Sequence, residues 1–64
     1  MAVNLDDIDW AIIGQLQQEA RTSLSELGRR VKLSPSASTE RLRRLERLAV
    51  ITGYRVSVDL AKAG

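Results

Sequence analysis

The 64-residue sequence has no cysteine, no histidine and no phenylalanine. Without cysteine there is no disulfide framework, and without cysteine or histidine the usual zinc sites are excluded. The same absences remove the common nucleophile–base pairs. No Gly-rich phosphate loop is present either, so no enzymatic chemistry, cofactor or metal is expected. Asp6 and Asp9 read as helix caps rather than as a catalytic carboxylate pair. The lack of cysteine fits a cytoplasmic protein. No basic N-terminus leads into an apolar run and no stretch nears twenty apolar residues, so neither a secretion signal nor a membrane span is expected. Trp10 and Tyr54 are the only aromatic residues. The core must therefore come from Leu, Ile and Val, and stability should be modest. Few aromatic anchors and an acidic N-terminus also argue against a membrane-surface helix.

What is there is unevenly charged. Residues 1–20 hold Asp6, Asp7, Asp9 and Glu19 with no Lys or Arg, a charge of −4, whereas residues 21–64 carry all ten basic residues and net +6. An acidic first element before a basic remainder suggests a polyanionic partner.

Hydrophobic spacing predicts three helices and a strand. The first covers about 6–19, with Asp6 as N-cap, Asp7 and Asp9 in the first turn, and Ile8, Ile12, Ile13 and Leu16 forming one stripe. Leu5 is placed to pack just ahead of the cap. Ser23-Leu24-Ser25-Glu26 has capping-box spacing and opens a short helix over 24–31 with Leu24, Leu27 and Val31 on one face. Ser34-Pro35 is an N-cap followed by proline at the first helical position, starting a third helix over 35–48 whose inner face is Ser38, Leu42, Leu45 and Ala49. Tyr54, Val56 and Val58 then alternate with Arg55, Ser57 and Asp59, which predicts a half-buried strand after Gly53. Residues 60–64 read as the start of a linker.

Only Lys32 and Leu33 separate the second and third helices. So short a turn forces a steep crossing that a third helix must cover, the helix-turn-helix arrangement. Gly28 sits in the middle of a helix, where glycine costs about 1 kcal/mol against alanine. A close backbone approach at the crossing would account for it; the alternative is a poor helix former tolerated by chance. At about 100° per residue, Ser36, Glu40, Arg43 and Arg47 face away from the inner stripe, Ala37 and Arg44 lie to one side, and Arg41 lies nearer the boundary. Small neutral residues at the helix start allow entry into a major groove, and arginines beyond them can reach base edges or phosphates. Ser34, Ser36, Ala37, Ser38, Thr39 and Arg43 are thus candidates near base edges. Arg29, Arg30, Arg41, Arg44 and Arg47 are candidates for phosphates or flanking edges. Ser38 is the odd member, because its wheel position points inward. The competing account of the arginines is a solvated face supported by Glu40–Arg44 and Arg43–Glu46 pairs.

Leu5-Asp6-Asp7-Ile8-Asp9, Ile12-Ile13, Leu16-Gln17 and Ala20-Arg21 together resemble the opening of the leucine-responsive/asparagine-responsive (Lrp/AsnC) regulators. So do Leu33-Ser34-Pro35, the run Glu40-Arg41-Leu42-Arg43-Arg44-Leu45-Glu46, and Ile51-Thr52-Gly53-Tyr54. The resemblance covers about residues 5–60. It implies a mainly α, winged-helix-like domain that binds double-stranded DNA, with its motif over about Leu24 to Arg43. It also implies a homodimer or higher oligomer reading pseudo-palindromic operators, and a second domain that binds amino-acid-type effectors. The expected organisation is therefore a helix-turn-helix unit over 1–52, then a strand and the start of a linker over 53–64. The second domain would begin where the chain ends, so a fragment of a longer protein is expected. Two residues depart from the family pattern. Lys32 stands where such turns commonly carry glycine, and a positive φ there would cost Lys about 1–2 kcal/mol. Trp10 stands at an often polar position. The alternative function is a winged-helix protein-interaction module using Leu42, Leu45 and Leu48 as a seam. An apolar seam would show little salt dependence, whereas each neutralised DNA phosphate adds about 0.9 to the slope of log affinity against log salt.

Overall fold

In a computed structural model of the chain, residues 3–64 are described. Four helices follow one another: α1 Asp7–Gln18, α2 Leu24–Val31, α3 Pro35–Arg47 and α4 Leu60–Ala63. The first three pack against one another around Ile12, Leu27 and Leu45, which are fully buried. Leu5, Ile8, Ile13, Leu16, Val31, Leu42, Val50 and Ile51 close over this centre. Each of α1, α2 and α3 thus contributes one sealed aliphatic residue, in keeping with a sequence that has no phenylalanine. No helix among the described residues is long and apolar enough to cross a membrane.

The helix starts follow the sequence signals closely. Asp6 caps α1 by accepting from the Asp9 amide at 2.9 Å, and Asp9 Oδ2 accepts from the Asp6 amide at 3.2 Å, a complete capping box. At α2 only half of the expected box forms. Ser23 Oγ accepts from the Glu26 amide at 3.1 Å, but the Glu26 carboxylate turns to Arg29 and Arg30 instead. Ser34 caps α3 with Pro35 at the first turn.

Between α2 and α3, Lys32 is the α2 C-cap and adopts φ 61°, ψ 42°, the left-handed region expected to strain it. The Leu33 amide reaches back to the Gly28 carbonyl at 2.7 Å. Gly28 is buried at the crossing. A Cβ on it would lie 2.5 Å from the Leu33 carbonyl oxygen and 2.9 Å from Ser38 Oγ. The glycine is there because two backbones meet on it.

The end of α3 corrects one expectation. The helix stops at Arg47 with Leu48 as C-cap, and Ala49 leaves it at φ 58°. The Ala49 amide bonds the Glu46 carbonyl and the Val50 amide bonds the Leu45 carbonyl, a Schellman closure. Ala49 is consequently exposed rather than on the inner face, and Val50 and Ile51 fold back on the core in its place.

The strand expected over 53–59 does not form among the described residues. A strand must exchange its amides and carbonyls with a neighbouring one, and this segment has none beside it. Tyr54, Val56 and Val58 are 51%, 86% and 57% exposed, so alternation alone does not bury them. Residues 60–63, expected as linker, form the one-turn α4, capped by Asp59 accepting from the Lys62 amide at 3.2 Å.

Two substitutions test this frame by urea unfolding. Gly28→Ala should destabilise the chain by about 2 kcal/mol, overpacking outweighing the better helix propensity. Lys32→Gly should stabilise it by about 0.5–1 kcal/mol, since relief of left-handed strain exceeds the added entropy of the unfolded chain.

Candidate nucleic-acid interface

The inner face of α3 is set by Ser38 and Leu45, both fully buried, with Leu42 beside them. That fixes what points outward. Ser36, Glu40, Arg43 and Arg47 are exposed on the opposite side. Among the described residues no ion pair holds Arg43 or Arg47, so both cations are free. The helix start carries small groups only. Ser34 Oγ accepts from the Ala37 amide at 3.2 Å, Ser36 Oγ lies 3.4 Å from it, and Thr39 Oγ1 donates to the Pro35 carbonyl at 2.8 Å.

Ser38 does not belong to this face. Its hydroxyl donates to the Ser34 carbonyl at 3.0 Å and sits against Gly28. Its inward wheel position prevails over its place in the run, because only a small side chain fits where α2 crosses. Ser38 is a packing residue.

The remaining candidate arginines are engaged within the protein. Arg29 and Arg30 both pair with Glu26, one helical turn away, while staying well exposed. Such surface pairs are worth little and leave both cations available. Arg41 and Arg44 turn to the flank of α3 that faces the start of α1. Arg41 Nη1 donates to Asp6 Oδ2 at 2.5 Å and to Asp9 Oδ1 at 3.3 Å. Arg44 Nη1 lies 3.5 Å from Asp9 Oδ2. The Glu40–Arg44 and Arg43–Glu46 pairs of the competing solvated-face account are absent among the described residues. Arg44 goes to Asp9, and Glu46 accepts from the Tyr54 hydroxyl at 2.7 Å. Partial burial of Tyr54, with the Glu46 carboxylate beside it, pushes the phenol up to about 12.

Asp9 is the residue whose part here the sequence reading missed. Its side chain is only 2% exposed, and it takes Arg41, Arg44 and the Asp6 amide at once. The signal was present: on the α1 wheel Asp9 falls between Leu16 and Ile13, inside the apolar stripe. A carboxylate in such a stripe needs a cation from another element.

A family model of the AsnC-type helix-turn-helix domain matches residues 5–46, from the α1 entry to the last turn of α3. The chain belongs to that family. It is similar to the HTH-type transcriptional regulator LrpC of Bacillus subtilis, 47% identical over 62 residues that make up 97% of this chain and 43% of that protein. It is 51% identical over 51 residues to the leucine-responsive regulatory protein of Escherichia coli, covering 80% of this chain and 31% of that one. The solved structure of B. subtilis LrpC superposes with a TM-score of 0.87 over 97% of this chain and 44% of its own. The leucine response regulatory protein LrpA of Mycobacterium tuberculosis does so at 0.82 with 42% identity, over 94% of this chain and 41% of its own. The AsnC-type domain described here thus spans less than half the length of these relatives.

The acid–arginine cluster of this AsnC-type domain makes stability depend on acid pH. The Arg41 hydrogen bond, then the Asp9 amide, holds the Asp6 carboxyl down from 3.8 to about 2. A carboxyl lowered in the folded state stabilises it above the unfolded pKa and loses that contribution as pH falls through the folded one. Thermal melts followed by circular dichroism should therefore show Tm falling between about pH 4 and pH 2. In Asp6→Asn, which keeps a capping oxygen, that fall should be shallower.

Proposed function

We propose that the chain binds double-stranded DNA with sequence preference, as the DNA-reading unit of a transcriptional regulator. On this reading α3 enters the major groove and α2 crosses the backbone beside it. One observation supports it above the others: the outer face of α3 combines a small-residue start at Ser34, Ser36 and Ala37 with the free cations of Arg43 and Arg47. Its base-edge group is Ser34, Ser36, Ala37, Thr39 and Arg43. Its phosphate group is Arg29, Arg30 and Arg47, with Arg41 and Arg44 on the flank. The names of the relatives, transcriptional regulators among them, point the same way.

The same reading makes residues 1–52 the DNA-binding unit. Residues 53–59 become a strand only when a partner strand is supplied from elsewhere in a longer protein. Such a protein is a cytoplasmic, non-enzymatic homodimer or higher oligomer, and any amino-acid-type effector acts through a separate domain. The isolated chain reads a single half-site and binds weakly.

Titration of the chain with duplex DNA at several salt concentrations, followed by amide NMR, tests this. Shifts should cluster on residues 34–47 and affinity should fall steeply with salt. Arg47→Gln should lower the magnitude of the log–log salt slope by about 0.9. Shifts confined to other surfaces, or affinity indifferent to salt, would instead support a protein-interaction module.

A further inference from the structure

We propose that Asp6 is a built-in competitor for DNA phosphate: it holds Arg41 on the flank of α3 and so sets how strongly the helix engages the DNA backbone, while Asp9 positions Arg41 and Arg44 beside it. This rests on the DNA-binding reading and adds an affinity-setting residue that does not itself touch DNA.

The two carboxylates that share Arg41 are not equivalent. The Asp9 side chain is 2% exposed and that of Asp6 is 53% exposed. Withdrawing Arg41 from Asp9 would strip a buried carboxylate of a cation, which is strongly unfavourable. Withdrawing it from Asp6 exposes a carboxylate that water already reaches, and pairs at such sites cost little to break. Only the outer contact is exchangeable. A phosphate oxygen makes the same charge-assisted contact to a guanidinium as a carboxylate oxygen does, so a DNA strand along this flank competes with Asp6 for the same donor. The carboxyl is also held low enough, at about 2, to stay ionised throughout the ordinary pH range. The competition is therefore constant rather than pH-gated.

The geometry separates Asp6 from its neighbour Asp7. Asp7 is exposed in the first turn of α1, and among the described residues it forms no ion pair. Removing either charge changes the net charge equally, but only Asp6→Asn removes the outer carboxylate contact of Arg41. Asn caps a helix about as well as Asp, so Asp6→Asn keeps the start of α1.

The test is titration of the 64-residue chain with a mixed-sequence duplex at several salt concentrations, for the unaltered chain, Asp6→Asn, Asp7→Asn and Asp6→Asn combined with Arg41→Gln. Asp6→Asn should bind about 5-fold tighter at low salt, with the salt slope steeper by about 0.9, one additional phosphate contact. Asp7→Asn should gain less than about 2-fold, the effect of net charge alone. Arg41→Gln in the Asp6→Asn background should abolish the gain. Equal gains from Asp6→Asn and Asp7→Asn, or none from Asp6→Asn in a chain that binds DNA, would overturn the proposal and leave the DNA-binding reading standing. An unaltered chain with no salt-dependent DNA binding would bring down both.

Discussion

Two backbones meet at Gly28 more closely than a methyl group allows, and the rest of the domain depends on that approach. With the Leu33 carbonyl and Ser38 Oγ too near the glycine for a side chain to fit, α2 and α3 can cross this closely only over Gly28. Ser38 must be small for the same reason, and Lys32 accepts a left-handed backbone so that the chain can turn within so few residues. Ile12 of α1 then closes the wedge with Leu27 and Leu45. The outer face of α3 is set by what its inner face packs against.

Electrostatics supply a second, weaker fixture on the other side of α3. The acidic start of α1 and the basic run of α3, which in the sequence look like a simple asymmetry of charge, are partly one cluster. Asp9 is sealed and needs its arginines. Asp6 is open and shares one of them. The positive potential of α3 is therefore divided: Arg43 and Arg47 face solvent, while Arg41 and Arg44 lean on carboxylates. Counting arginines along the helix overstates the cations on offer at its surface.

Most of the helical frame was legible because its signals are local. The Asp6 and Ser34 caps, the proline at 35 and the stripe of Ile8, Ile12 and Leu16 act within a turn or two, and α1, α2 and α3 each lie within a residue of their expected bounds. Gly28 and Lys32 were legible for the same reason, as residues out of place in what surrounds them. The misses involve competing local partners, distant ones or absent ones. Glu26 leaves its cap for Arg29 and Arg30, a competition between two local options that spacing cannot rank. Asp9 and Arg41 lie thirty-two residues apart, although the misplaced charge in the stripe marked Asp9. Residues 53–59 alternate as a strand does, but alternation records what a segment can bury and not whether anything lies beside it. On α3, the helical wheel set Ser36, Glu40, Arg43 and Arg47 outward, where they are exposed, and for the buried Ser38 it was a better guide than the residue's position in the run.

The order of the helices has a kinetic consequence. α1, α2 and α3 are joined by short connectors, and each packs on a neighbour close in sequence, with few ladders or crossovers to assemble. Chains dominated by such local contacts fold in microseconds to milliseconds. A core sealed at three of the described residues buries little apolar surface, so stability is expected to be modest and refolding fast. What exposes such a domain to proteolysis is then the fraction of time spent open, rather than the rate of any single opening.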